Sequence, residues 1–175
     1  MKRLIPNLLV LLSIFVYSSC SESTLDYNNP DVKLFVKQLK AGTYDTTNNF
    51  GLVEVPLFTR KDIPELLKYS DDLTEIPSFP LPSISSYFGG KARLGECILW
   101  IVESIRLGRY ASLGCKLVYV EADNYEGIYF LTNEEVHDAS THYNNWWKKV
   151  ENVPEYLSID PYTFDPLEGS NYCWW

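Results

Sequence analysis

The sequence predicts a mainly α fold of antiparallel helical pairs, with room for one small β-hairpin. Three observations carry that expectation. Four segments place apolar residues at helical spacing between start and stop signals. One of them, about residues 91–107, is apolar over much of its circumference and is expected to be the central helix. Only two short runs, 116–121 and 127–131, read as β-prone, and Asp123-Asn124-Tyr125-Glu126-Gly127 suits a turn between them.

The N-terminus has the three parts of an export signal over residues 1–19. Met1-Lys2-Arg3 is a basic head, Leu8 to Val16 an apolar run, and Tyr17-Ser18-Ser19 a short end before Cys20. The run is shorter than the ~20 residues that span a bilayer. Ser18-Ser19-Cys20 resembles the lipobox of bacterial lipoproteins, with Tyr17 where that motif prefers an aliphatic residue. The resemblance implies cleavage before Cys20 and lipidation of its thiol, and several acyl chains make such anchoring stable. Ser21 is not the Asp that retains some lipoproteins in the inner membrane, so the resemblance implies an outer-membrane place in the cell envelope. The alternative is an ordinary secretory signal with Cys20 free or bridged.

Cleavage leaves 156 of the 175 residues, a normal length for one domain. Residues 20–29 read as the lipidated cysteine and a polar tether, and 30–175 as a single helical domain with an aromatic C-terminal tail. Lys2 and Arg3 leave with the signal, so 13 basic residues face 23 acidic ones. That balance repels nucleic acid and anionic lipid, and the bilayer is expected to be met through Cys20 alone. Beyond Cys20 stand Cys97, Cys115 and Cys173. Three thiols allow one pair and one free thiol, or none paired, and spacing does not choose.

Along the mature chain, Asn29-Pro30-Asp31 reads as a helix start with Asn29 as cap. Val32, Phe35, Val36 and Leu39 form its apolar face and Gly42 ends it. Residues 52–58 read as extended, with Pro56 against a central strand. A second helix starts near Thr59, with Asp62 in a capping-box position and Pro64 in the first turn. Residues 71–86 read as an ordered extended connection anchored by Ile76, Phe79, Leu81 and Ile84. Gly89-Gly90 breaks the chain before the central helix, where Leu94, Ile98, Ile101 and Ile105 make one stripe. The run 116–121 is read as a strand or, alternatively, as a helix continuing from Ser112. Thr132 caps the last long helix, with Glu134-Glu135 at its start and Lys148-Lys149 at its end. Val136, Ala139, Tyr143, one of Trp146 and Trp147, and Val150 mark its inner face. The chain has no internal repeat period.

Three stretches together resemble an uncharacterised family of small bacterial lipoproteins that carry a domain of unknown function. They are Asp62 to Tyr69, Arg93 to Trp100 with Glu103 and Arg106, and Tyr143 to Trp147 followed by Asp165-Pro166-Leu167. The resemblance covers most of the mature chain and implies a helical fold without an activity. Similar helical-pair patterns occur in HEAT-like scaffolds, and a HEAT-like superhelix is what that likeness implies.

Five constellations of side chains bear on chemistry. Cys97, near a helix N-terminus, with His142 or His137 as base and Asp138 to orient His142, has the chain order of papain-like cell-wall amidases. Against it, Cys97 flanks an apolar stripe and Asp138–His142 is an ordinary helix-surface pair. Glu96 and Glu103 stand two turns apart, about 10 Å along a helix, a spacing a glycosidase pair can use. Arg93 and Arg106 three residues from each argue for ion-paired structural carboxylates instead. The histidines at i, i+5 do not share a face as metal ligands, Gly89-Gly90-Lys91 lacks the rest of a phosphate loop, and no cofactor is implied. Trp147, Tyr172, Trp174 and Trp175 are the candidate binding surface. The function expected is therefore a non-enzymatic, membrane-anchored module outside the cytoplasm that recognises a protein or a glycan. A cysteine hydrolase of cell-wall peptides is the second class.

Overall fold

The computed structural model describes residues 24–82, 85, 92–120, 130–154 and 164–175. The export signal, Cys20, Ile84, Gly89-Gly90, Lys91 and the turn at 123–127 lie outside the described residues. Among the described residues, four α-helices and two small antiparallel strand pairs make a mainly helical fold.

Helix α1 spans Val32–Ala41 and buries Val32, Phe35, Val36 and Leu39. Its cap is Asp31 rather than Asn29, because the Asp31 carboxylate, on extended backbone, accepts from Leu34 N at 2.8 Å. Gly42 ends the helix in the left-handed conformation at φ 68°, as its position after the last apolar residue predicts. The packed chain also starts earlier than a free tether over 20–29 would allow. Leu25 is only 4% exposed within the core, and Leu57 N donates to Tyr27 O at 2.9 Å. The apolar bodies of Leu25 and Tyr27 find surface to bury, which the polar residues around them conceal in the sequence.

Residues 54–58, expected to be extended, join no ladder, and Phe58 N donates to Pro56 O at 2.7 Å in a tight turn at Leu57; an isolated bridge from Thr47 to Val53 precedes them. Thr59 and Asp62 form the expected capping box. The helix they open is short: a 3₁₀ turn at Arg60–Asp62, α2 at Ile63–Leu66 and a second 3₁₀ turn at Leu67–Tyr69.

Strand β1, Glu75–Ile76, pairs antiparallel with β2, Ala92–Arg93. The central helix, α3, accordingly begins at Leu94 rather than near Lys91 and ends at Leu107. No side chain caps it. Leu94 N and Gly95 N donate instead to the carbonyls of Thr74 (2.9 Å) and Asp72 (2.7 Å), so the turn after α2 supplies the acceptors. Helix α3 is enclosed on nearly all sides, with Glu96, Trp100 and Glu103 buried as fully as the Leu94–Ile98–Ile101 stripe.

Strand β3, Leu117–Tyr119, settles the 116–121 alternatives in favour of a strand. Its ladder partner is β4, Tyr172–Trp174, in the register Leu117↔Trp174, Val118↔Cys173 and Tyr119↔Tyr172. Among the described residues the expected partner run contributes Phe130, bridged to Val118, and Leu131, whose N donates to Leu117 O at 3.3 Å. Helix α4 spans Asn133–Val150 behind a Thr132–Glu135 capping box. Of the two tryptophans on it, Trp146 packs inward and Trp147 is half-buried. Ser140 Oγ meets Ser70 Oγ at 2.6 Å, and Asn144 Nδ2 donates to Ser70 Oγ, pinning α4 to the turn after α2.

Candidate functional site: an aromatic groove

Among the described residues, a groove of about 580 Å³ lies between the C-terminal half of α3 and the segment 54–58. Pro56 withholds a backbone donor from that segment, which leaves it free of a sheet and available as a wall. Trp100, Ile101, Ser104 and Ile105 form the helical wall, and Pro80 and Pro82 close one side. Gly108 ends α3 in the left-handed conformation at φ 62° and reverses the chain. Tyr110 thereby returns over α3 and stacks on Trp100, with ring centroids 5.6 Å apart and planes 20° apart. Two bonds hold the return: Ala111 N donates to Ser104 Oγ at 3.1 Å, and Trp100 Nε1 donates to Ser112 O at 3.2 Å. Phe79 meets Trp100 edge-on from another side.

Two apolar groups project from this frame into solvent. Leu57 is 51% exposed and Tyr110 48%. Ile105, which the sequence places on the buried stripe, is half-buried and lines the groove. The polar content is small and localised. Glu54 Oε2 accepts from Asn48 Nδ2 at 2.8 Å and from Tyr27 Oη at 3.4 Å, while Oε1 makes no hydrogen bond among the described residues. Burial, and then the negative charge of Glu54, push the phenols of Tyr27 and Tyr110 above their ordinary value. Both therefore stay protonated at neutral pH and can donate. Arg109 stands exposed among the lining residues. Predominantly apolar walls with a few fixed polar groups are the common make-up of a binding cleft.

A family model described as a domain of unknown function (DUF4943) matches residues 26–175. The chain belongs to this family. No curated protein and no solved structure matches the chain. The matched span of the DUF4943 domain contains every residue of the groove.

Within this domain the residues singled out in the sequence fall in other places. Cys97 is 1% exposed and lines a separate cavity of about 210 Å³ with Cys115. His137 is exposed beside Asp71, and His142 lies near Asp138 on the surface of α4. No histidine lines the cavity of Cys97, so the Cys97–His142–Asp138 arrangement is not assembled. Glu96 is held by Arg93, Lys116 and Leu117 N, and Glu103 by a two-bond fork from Arg106. Both are structural ion-paired carboxylates, as the neighbouring arginines imply.

The four aromatic candidates do not share one platform. Trp147 packs on Trp146, with the Arg60 guanidinium 4.9 Å from its ring. Tyr172 meets Tyr119 and donates to Asp138 at 3.0 Å. Trp174 Nε1 donates to Tyr143 Oη at 2.8 Å, and Trp175 packs edge-on to Phe130. All four are part-buried. Sequence reasoning missed Tyr27, Leu57 and Tyr110. The available signals were weak: an apolar Leu57 directly after Pro56, and an aromatic two residues beyond the helix-ending Gly108.

Proposed function

We propose that the chain is a lipid-anchored, non-enzymatic binding module that works outside the cytoplasm and takes a segment of a protein partner into the groove. The observation that carries this reading is the groove itself, where Leu57 and Tyr110 project apolar surface that packing leaves uncovered. Its walls suit an apolar or aromatic side chain. The open Oε1 of Glu54, within an acidic chain of net charge −8, suits a basic group beside it. Absence of catalysis is part of the proposal: the Cys97 thiol is enclosed away from both histidines, and Glu96 and Glu103 are committed to ion pairs. The lipobox-like end of the export signal supports anchoring at Cys20.

Site-directed photocrosslinking in cells tests the groove. A photoreactive phenylalanine analogue placed at position 57 or 110 of the full chain should yield a discrete protein adduct. The same analogue at exposed position 37 on α1 should not. Adducts of equal yield from all three positions, or none from 57 and 110, end the proposal. An adduct that resists protease and is removed by a muramidase reassigns the groove to glycan.

A further inference from the structure

We propose that Cys97 and Cys115 form a disulfide joining α3 to the approach to β3, leaving Cys173 as the one thiol of the folded domain. The inference rests on the extracytoplasmic reading for its oxidising surroundings, and on geometry for the choice of pair. Both thiols are free in this structure, both residues are buried and line the same cavity, and the neighbouring Cys97 thiol adds to burial in raising the Cys115 thiol. The chain on either side of the pair is tied independently. Glu96 Oε1 accepts from Leu117 N at 2.8 Å, and Glu96 Oε2 accepts from Lys116 Nζ at 3.1 Å. The residues next to the two cysteines are thus already held together, and closing the bond asks for little backbone movement. Cys115 is the one described non-glycine residue with positive φ, at 50°. A glycine would hold that turn at less cost, so the side chain kept there has a use. Cys173, by contrast, sits opposite Val118 in the β3–β4 ladder and is half-buried.

The reaction is thiol–disulfide exchange. Two thiols lose two protons and two electrons and gain a sulfur–sulfur bond, while the oxidant, a protein disulfide or oxidised glutathione, becomes two thiols. Burial pushes the Cys115 thiol well above its ordinary value, so exchange belongs to folding, before the segment packs. Once formed, the bond is shielded from reductant. The loop it closes carries Gly108 and Tyr110, and it would fix the return of the chain over Trp100.

Two preparations of the full-length chain test the pair. The first is taken from membranes under acid quench, alkylated, and digested without reductant for mass spectrometry. The second is refolded from the reduced, denatured state in detergent with a glutathione redox buffer and digested in the same way. A Cys97–Cys115 cross-linked peptide with Cys173 alkylated is expected in both, and Cys173→Ser should leave the link intact. A link through Cys173 to either partner, or alkylation of all three thiols after glutathione refolding, overturns the proposal. A link in the refolded chain with free thiols in the membrane preparation supports the pair and refutes the extracytoplasmic reading instead.

Discussion

The phenol of Tyr143 on α4 donates to Glu103 Oε2 on α3 at 3.0 Å, and both residues are buried. The same hydroxyl accepts from Trp174 Nε1, so one oxygen joins two helices to the last strand. Tyr143→Phe removes that oxygen and leaves a buried carboxylate and an indole N–H each short of a partner. A loss of about 1–3 kcal/mol in urea unfolding is expected. Glu103→Ala should cost more, about 3–5 kcal/mol, because it removes the two-bond fork that compensates the buried Arg106 charge.

Stability should fall in alkali. Burial, and then the charge of Glu103, hold the Tyr143 phenol well above its ordinary value. Burial and Asp138 push Tyr172 up to about 12. These folded values exceed the unfolded one, near 10. The folded state therefore keeps protons that the unfolded chain releases. The contribution is fully present below about pH 10 and is lost as pH rises through the folded values. Chemical unfolding followed from pH 8 upward, with tyrosinate absorbance as a second signal, should show this decline. It should be shallower in Tyr143→Phe, which lacks the buried titrating group.

Gly95 gives a prediction whose sign opposes helix propensity. Alanine in the first turn of a helix is favoured over glycine by up to about 1 kcal/mol. A Cβ at Gly95, however, would lie 2.5 Å from Ser70 O and 2.9 Å from Ser70 C, both backbone atoms. Gly95→Ala should therefore destabilise by about 1–3 kcal/mol, read as a lower urea midpoint.

Groove residues should separate binding from stability. Leu57→Asp and Tyr110→Ala alter half-exposed side chains, and Leu57→Asp should stay within about 0.5 kcal/mol of the parent in unfolding. Each should abolish the adduct formed from a photoreactive group at the other position. Retention of the adduct in both variants would place the partner elsewhere.

Cys20→Ala should release the exported chain from membranes into the soluble fraction and remove the lipid from the N-terminal peptide in mass spectrometry. An unlipidated Cys20 in the parent chain would turn an anchored protein into a freely secreted one.

Residues close in sequence settled much of the fold. The apolar faces of α1 and α4, the Thr132–Glu135 and Thr59–Asp62 capping boxes and the Gly42 stop were all legible. Each depends on contacts within one or two turns, so the order of residues contains it. The ion-paired roles of Glu96 and Glu103 were legible for the same reason, with an arginine three residues from each.

The groove and the pairing of β3 with β4 were not legible. Its walls come from Tyr27 beside Leu57, from Pro80 and Pro82, and from Tyr110 folded back on Trp100. Strand β3 pairs with β4, more than fifty residues away, as well as forming a bridge from Val118 to Phe130 in its expected neighbour. Such pairings are chosen by which apolar faces remain uncovered after the helices pack, and no local period encodes that choice. The sequence thus determines the helices and several of their ends, while the start of α3 is set by the turn after α2 that accepts its first N–H groups. Packing decides that Leu25 and nearly all sides of α3 are buried, while Leu57 and Tyr110 are left projecting, because exposure belongs to the assembled surface and not to any one segment.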